Sequence, residues 1–278
     1  MIYSDLAMET KGVCEHLSGI RVEHEKAHGI TFTRVRVESD EGARLIGKPK
    51  GSYITVERDK LREMNEEEQN AFCAALASEI KALFPDTFFS SVLIAGIGNR
   101  DLTPDALGPR TIEGIFVTGH IPDFTGCKTY VLSPGVTGQT GIETQALIGS
   151  VIDRIKPDLV IVIDALCARS TSRILSTVQL SDAGVVPGSG LNNRRCVLNS
   201  DMLHTKVLAI GVPTVVHAST IIEDALESRH IENIELTDLL EEEKMVVTPA
   251  DIDEEMNLCA GLIAKGINLF LHPDWDIK

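Results

Sequence analysis

The chain has 278 residues and a formal net charge of −15, with 43 % hydrophobic and 24 % charged residues. This length and composition are typical of a globular protein with one large core and exclude a disordered chain. The acidic balance argues against binding to nucleic acid or anionic membranes, because both need a basic surface. No signal-peptide pattern or apolar run of ~20 residues is present, and six scattered cysteines favour reduced thiols, so we expect a cytoplasmic protein.

The first third of the chain predicts a small β element and then a helix. Residues 31–37 alternate in polarity and residues 52–57 are rich in β-branched side chains, so both are predicted as strands, joined through a turn at 47–51. Asn65 and Glu68 have the spacing of a capping box, which predicts the start of a helix. One face of that helix is apolar and consists of Phe72, Leu76, Ile80 and Leu83.

Two apolar runs, each followed by an aspartate, are the most informative feature of the sequence. Residues 92–97 open into a loop that contains Asp105, and residues 159–163 end directly on Asp164. Continuous runs rich in Val and Ile are typical of strands that are buried on both faces of a parallel sheet. Ligands bind outside the carboxyl ends of such strands, so both carboxylates are predicted to lie at a candidate site.

The rest of the chain continues the alternation of helices and strands. Thr140 and Glu143 form a second capping-box pattern, followed by a loop at 181–195 and a strand at 207–212. The apolar face of the helix predicted from this second box comprises Ile142, Ala146, Val151 and Ile155.

The C-terminal third predicts two more helices and a charged surface segment. Thr220 and Glu223 predict a helix start, the acidic segment 223–244 is expected on the surface, and residues 251–271 predict a final helix. The apolar face of the final helix is predicted to contain Leu258, Leu262 and Leu269. The whole pattern predicts one domain over residues 1–278 with an α/β fold. We expect three layers, α/β/α, around a mostly parallel central sheet, with a small N-terminal β element.

Several residues allow a choice between chemical and structural roles. Gly96 and Gly98 resemble a dinucleotide-binding loop, but Asp101 stands where the third glycine is required. The thiol of Cys167 is a candidate nucleophile, although a cysteine at a strand end is more often a small buried residue of the core. His217 follows a predicted strand and is a candidate metal ligand beside two carboxylates, although a lone histidine is often structural.

The two aspartates also have structural alternatives. Asp105 can cap a helix, and Asp164 can accept hydrogen bonds from loop amides. If both carboxylates meet at one edge of the sheet, they can share a proton and activate a water molecule.

Motifs between about residues 93 and 223 resemble the germination protease family of spore-forming bacteria. They include the two aspartate segments at 96–109 and 163–170. Three further runs carry the same resemblance, at residues 134–144, 187–190 and 210–216. The resemblance is looser in the N-terminal third and in the last helix. His217 stands where the family usually has aspartate, and the family's long insertion before the last helix is largely missing.

The resemblance implies an atypical aspartic endopeptidase with Asp105 and Asp164 as its catalytic residues and without a cofactor. Its implied substrates are small acid-soluble spore proteins, degraded in the cytoplasm of the spore core during germination. The family is made as a zymogen that trims its own N-terminus, and it assembles as a homotetramer. The implied fold is phosphorylase/hydrolase-like and similar to that of the hydrogenase-maturation endopeptidases, which hold nickel between equivalent carboxylates.

The N-terminal residues 4–9 resemble the family's processing site, in which an acidic residue precedes a bulky apolar residue, an alanine and a later glutamate. This predicts cleavage between Asp5 and Leu6, with residues 1–5 as a short propeptide. The alternative is an ordinary disordered terminus.

Two other functions remain open at the level of the sequence. One is a metal-assisted endopeptidase of the hydrogenase-maturation type, with His217 as an additional ligand. The other is a non-catalytic protein that uses the same scaffold to bind an extended peptide at the sheet edge.

Overall fold

The computed structural model describes residues 4–10, 18–186, 197–229 and 245–275. Nine strands in this part of the chain form one mixed sheet. In chain order they are β1 (Ile20–Ala27), β2 (Ile30–Val37), β3 (Gly51–Glu57), β4 (Ser91–Ile97), β5 (Lys128–Gly135), β6 (Leu159–Ala168), β7 (Thr177–Ser181), β8 (Lys206–His217) and β9 (Val246–Val247). Their spatial order is β1-β2-β3-β7-β8-β6-β4-β5, and β9 pairs with the end of β8.

Helices cover both faces of this sheet. They are α1 (Asp40–Ile46), α2 (Glu66–Leu83), α3 (Leu107–Glu113), α4 (Thr137–Thr140), α5 (Thr144–Ile155), α6 (Ser200–Leu203), α7 (Ala218–Glu227) and α8 (Ile252–Leu271). Buried residues of α2, α3 and α8 form the main core with one face of the sheet, and α5 packs on the other. The central strands β5, β4, β6 and β8 are mutually parallel. The three-layer α/β/α prediction is therefore confirmed.

The strands that carry the aspartate segments are buried on both faces, as their composition predicts. In β4, Ile94 packs into the main core, whereas Leu93 packs into the second cluster with α5. In β6, Ile161 and Val160 divide between the same two clusters, and all four side chains are fully buried. Burial of one such side chain contributes about 1.5–3 kcal/mol, so these two strands position the candidate site on a rigid base.

The N-terminal strands extend the central sheet and do not form a separate sheet. β3 pairs antiparallel with β7, and β7 pairs antiparallel with β8. The turn predicted at 47–51 is preceded by an unpredicted helix, α1, which Ser39 caps by accepting from the Gly42 amide at 3.0 Å. The strands β1, β5, β7 and β9 were not predicted from the sequence.

One of the two predicted capping boxes is present and the other is not. The Asn65 side chain accepts from the Glu68 amide at 3.0 Å, and the Glu68 carboxylate accepts from the Asn65 amide at 3.0 Å. The box at Thr140 is wrong, because Gly141 adopts φ +71° and ends α4, and α5 begins three residues later. Ile142 is 47 % exposed as a result, and the buried line of α5 is Thr144, Ile148 and Ile152.

The remaining predicted elements differ mainly at their ends. The helix predicted from Thr220 begins earlier, at Ala218, and Thr220 is buried inside its first turn. The final helix is confirmed, with Leu262 buried and Leu258 and Leu269 packed at the edge of the core. The predicted loop at 181–195 and the acidic segment at 223–244 fall largely outside the described residues.

Candidate active site

Asp105 lies at the end of a short 3-10 turn, Thr103–Asp105, that folds back over the end of β4. Gly98 makes this possible, because it adopts φ +121° and a Cβ atom there would lie 1.9 Å from the Asp105 carbonyl oxygen. The Asp105 carboxylate accepts the amide of Asn99 at 2.7 Å. At Gly96, a Cβ atom would lie 2.3 Å from the carbonyl oxygen of Gly108. The two glycines therefore allow the chain to pack on itself, and the space that a phosphate would need is filled.

The loop that carries Asp105 is attached to two other elements. The hydroxyl of Thr214 in β8 donates to the Pro104 carbonyl at 2.6 Å. The hydroxyl of Thr103 donates to the Asp253 carboxylate in α8 at 2.9 Å. Hydrogen bonds from Thr103 and from Arg110 hold the pKa of Asp253 below its usual value. These contacts fix the position of the loop relative to the sheet.

Asp164 lies inside β6 and not at its end. The prediction that the strand stops at Asp164 is wrong, because β6 continues to Ala168 alongside a long partner, β8. Asp164 is 3 % exposed, lies opposite Gly211 of β8, and accepts the amide of Ala165 at 3.0 Å. A carboxylate is thus built into the sheet, close to the loop edge.

The structure brings the two aspartate segments to the same edge of the sheet. β4 and β6 are adjacent parallel strands, with Gly96 paired to Ile163 immediately before Asp164. The start of α3 packs over this pair, since a Cβ atom on Gly108 would lie 2.6 Å from the Ile163 carbonyl oxygen. Asp105 lies three residues before Gly108. The two segments are therefore neighbours, and the shared site and catalytic role of Asp105 and Asp164 stay predictions.

Cys167 has the properties of a structural thiol. Its side chain is buried, and burial together with the nearby Asp5 carboxylate raises the pKa of Cys167 to about 12. A thiol with this pKa stays protonated at neutral pH and is a weak nucleophile.

His217 ends β8, where it pairs with Val246 of β9, and it precedes the first residue of α7. Within the described ranges, no three His, Cys, Asp or Glu side chains are grouped so that they could hold a metal ion. The metal role of His217 therefore stays a prediction without a ligand set to support it.

The N-terminal segment, residues 4–10, lies against the end of β6. The Asp5 amide donates to the Cys167 carbonyl at 2.9 Å, and the Asp5 carboxylate accepts the Cys167 amide at 2.9 Å. The Asp5 carbonyl accepts from Lys48 Nζ at 3.0 Å and from Gln179 Nε2 at 3.3 Å. Burial lowers the pKa of Lys48, and the Asp5 charge opposes this shift. The predicted processing residue, Asp5, is thus bound to elements of the core and does not lie in a loose terminus.

The next residues of the segment are bound just as closely. Leu6 is fully buried in an apolar pocket formed by Leu166, Ala168 and Val216. The Glu9 carboxylate accepts the amides of Arg169 at 2.6 Å and Ser170 at 3.0 Å, and it lies 3.0 Å from Arg173 Nε. The sequence did not indicate that Lys48, Gln179 and Arg173 bind the N-terminal segment. The one signal was the glutamate of the processing pattern, Glu9, because a buried carboxylate requires a partner.

Comparisons with known proteins agree with the resemblance seen in the sequence. Residues 2–232 match the family model for germination protease. A germination protease of Caldanaerobacter subterraneus subsp. tengcongensis is 38 % identical over 98 % of this chain and 94 % of its own length. The Clostridium tetani protein is 33 % identical over 100 % of this chain and 97 % of its own length. The Bacillus subtilis protein is 41 % identical over 82 % of this chain and 66 % of its own length.

One solved structure, a [NiFe] hydrogenase maturation protease HycI from Thermococcus kodakarensis, covers 68 % of this chain and 98 % of its own, with 17 % identity and a TM-score of 0.39. No helix in the described part of the chain has both the length and the apolar surface needed to cross a membrane. The family model covers residues 2–232 and the relatives cover nearly the whole sequence, so the chain belongs to the germination protease family of peptidases.

Proposed function

We propose that this peptidase is an endopeptidase that degrades small acid-soluble spore proteins and that uses Asp105 and Asp164 to activate water. The observation that supports the proposal is that the Asp105 turn follows β4 and that Asp164 lies in the adjacent parallel strand β6, one residue beyond the Gly96–Ile163 pair, in a chain of a peptidase family. Ligands of such sheets bind outside the carboxyl ends of their strands.

The proposed chemistry follows from the difficulty of ionising two neighbouring carboxyl groups. One of the pair keeps a proton while the other is charged, since like charges at short range raise each other's free energy. The charged carboxylate removes a proton from water as the water attacks the scissile carbonyl. The protonated carboxyl donates its proton to the carbonyl oxygen, which gives a tetrahedral intermediate with two hydroxyl groups. The carboxyl that took the proton from water then gives it to the leaving amine, while the first carboxylate takes a proton back from a hydroxyl of the intermediate.

The test is digestion of a small acid-soluble spore protein, followed by mass spectrometry of the fragments. Asp105→Asn and Asp164→Asn should each lower the rate by about 10²–10⁴-fold, because each removes one participant in proton transfer. Asp101→Asn is the matched control, since Asp101 is an exposed aspartate in the same loop region. Cleavage at the wild-type rate by either test variant contradicts the assignment of that carboxylate.

The same chemistry is proposed to act on the chain itself, between Asp5 and Leu6, as the activation step of a zymogen. Residues 4–9 support this because their sequence matches the processing pattern and because they lie on β6 beyond Asp164. Mass spectra of the intact enzyme, incubated without substrate, should show that the wild type loses residues 1–5 over time and that the Asp164→Asn variant does not. A wild-type chain that keeps its full mass while it digests substrate rules out this step.

The proposed setting is the cytoplasm of the spore core, and the proposed assembly is a homotetramer. The tetramer predicts a solution mass four times the 30.2 kDa of the chain. Light scattering coupled to size-exclusion chromatography measures this mass directly. A measured mass near that of one chain, at micromolar protein concentration, would contradict the proposed tetramer.

A further inference from the structure

A third strand end, that of β5, lies at the same edge of the sheet as the two aspartate segments. β5 runs parallel to β4 on the side away from β6, so the chain after β5 lies next to the loop after β4. The helix α4 follows β5 and carries Gln139. The side-chain nitrogen of Gln139, Nε2, donates to Asn99 Oδ1 at 2.8 Å. This contact joins α4 to the loop that carries Asp105.

Asn99 connects α4 with the first aspartate. Its backbone amide donates to the Asp105 carboxylate at 2.7 Å, while its side-chain oxygen accepts from Gln139 and from the Asp101 amide at 3.0 Å. A backbone amide can only donate, so the Asp101 contact identifies the accepting atom as oxygen and fixes the orientation of the Asn99 side chain. This contact uses only the backbone of Asp101, and the control variant Asp101→Asn keeps it.

The side-chain nitrogen of Asn99, Nδ2, has a different environment from the oxygen. Both lone pairs of the oxygen are occupied, whereas Nδ2 donates to no other residue in the described part of the chain. Asn99 is half-buried, so this nitrogen belongs to a side chain that the loop and α4 hold in place. The loop thus uses only the oxygen, and Nδ2 is available to a ligand next to Asp105.

Gln139 is exposed, but its side chain folds back over the end of β5. Its oxygen, Oε1, lies 3.4 Å from the position that a Cβ atom would take on Gly135. Gly135 adopts φ +68°, which glycine allows without strain, and the chain turns there from β5 into α4. The turn therefore places Gln139 where its nitrogen reaches Asn99.

We propose that Asn99 is a further catalytic residue, whose Nδ2 donates a hydrogen bond to the oxygen of the scissile carbonyl, and that Gln139 is the positioning residue that orients it. This inference rests on the proposed function. A carbonyl oxygen has two lone pairs, so it can accept from Nδ2 and from the protonated carboxyl at the same time. Negative charge grows on this oxygen as water attacks, so a donor that is already oriented stabilises the transition state more than the substrate.

The first test measures kcat and KM on a peptide that spans the bond cut in the spore-protein digest. Asn99→Ala removes the side-chain donor and keeps the backbone amide that binds Asp105. We expect kcat to fall by about 10²–10³-fold, as for the loss of one donor to a developing oxyanion, while KM changes by less than about 3-fold. Asn70→Ala, at an exposed asparagine of α2, should leave both constants unchanged.

Two dye-labelled analogues of this peptide separate a catalytic role from a structural one. The first has a phosphinate in place of the scissile amide and presents oxygen atoms on a tetrahedral centre. The second has a methylene group in place of the carbonyl and presents no oxygen there. In fluorescence polarisation, Asn99→Ala should weaken binding of the phosphinate by the same factor as kcat/KM and should leave binding of the methylene analogue unchanged. A distorted loop would weaken the binding of both.

Gln139→Met removes the donor to Asn99 and nearly keeps the volume of the side chain. We expect kcat to fall by about 2–10-fold at unchanged KM, as for the loss of one neutral hydrogen bond. Added to Asn99→Ala, this change should cause no further loss, because Gln139 acts only through Asn99. Gln145→Met, in α5, is the control and should leave kcat unchanged. Gln139 is exposed, so this variant and the two analogues test the inference even if Asn99→Ala fails to fold.

Three results overturn the inference. They are cleavage by Asn99→Ala at the wild-type rate, an equal loss of affinity for the two analogues, and a double variant in which the two losses of kcat multiply. In each case an active wild-type enzyme leaves the proposed function in place. A wild-type enzyme that cuts no spore protein contradicts the proposed function itself, and the role of Asn99 falls with it.

Discussion

Gly98 shows how one residue decides where a functional side chain lies. Its φ of +121° is accessible to glycine and is strained for any other residue. The loop after β4 can therefore turn sharply and bring Asp105 back over the strand end. In the sequence this glycine resembles part of a dinucleotide-binding loop that lacks its third glycine, and the structure gives it a role in close packing.

Gly98→Ala should impair both stability and activity. The new methyl group would meet the Asp105 carbonyl oxygen at 1.9 Å, so the loop must move. We expect the free energy of unfolding to fall by about 1–3 kcal/mol from backbone strain alone, with loss of peptidase activity. Urea denaturation and the digestion assay measure the two effects.

Gly149→Ala is the control for this change, because a Cβ atom there meets nothing within 4 Å and the residue lies in α5. Alanine should stabilise that helix by up to about 1 kcal/mol. If the two variants have the same stability and activity, the packing role of Gly98 is wrong.

At the scale of elements, the end of α8 is joined to the β5 side of the sheet by a ring cluster. His272 stacks on Trp275 with ring centroids 4.5 Å apart, and Phe124 meets both rings edge-on. The His272 ring nitrogen lies 3.3 Å from the Thr129 hydroxyl in β5. Burial lowers the pKa of His272 below its ordinary value of 6.5, so the cluster favours the neutral imidazole.

This shift predicts a pH dependence of stability. Below pH 6.5 the unfolded chain binds a proton at His272 before the folded chain does, so the free energy of unfolding falls as the pH falls. His272→Gln should remove this contribution, whereas His120→Gln, at an exposed histidine, should leave it unchanged. Urea titrations followed by the fluorescence of Trp275, the one tryptophan in the sequence, provide the measurement. Identical slopes for wild type and His272→Gln contradict the prediction.

The helix boundaries show where local sequence information is sufficient. Asn65 and Glu68 satisfy each other's backbone amides, so their spacing predicts the start of α2 correctly. Thr140 and Glu143 have the same spacing, but Gly141 turns the chain between them and the Thr140 hydroxyl donates to the Ile142 carbonyl at 3.0 Å. A spacing rule cannot separate the two cases, because the difference lies in backbone dihedral angles.

At the scale of the whole molecule, a single core connects the N-terminal strands to the parallel strands. The main cluster includes Ile54 of β3, Phe72 of α2, Ile161 of β6 and Ile263 of α8. We therefore expect the N-terminal strands and the parallel sheet to unfold together, as one domain.

Ile54→Ala tests this expectation, since Ile54 is 5 % exposed and lies in the N-terminal part of the sheet. The cavity should lower the free energy of unfolding by about 2–5 kcal/mol. Far-UV circular dichroism and Trp275 fluorescence should report the same shifted transition. Two separated transitions would mean that the N-terminal strands form an independent unit.

Local residue patterns alone were enough to predict the α/β fold and the two central strands that belong to the segments of Asp105 and Asp164, whereas the joint role of the two carboxylates stays a prediction. This is possible because apolar periodicity and the residue that follows a strand are properties of short segments. The convergence of Lys48, Gln179 and Arg173 on residues 4–9 is visible only in the folded chain, because contacts between distant segments leave no local pattern. The same reason explains why β6 passes Asp164: its last residues are strand because β8 lies beside them.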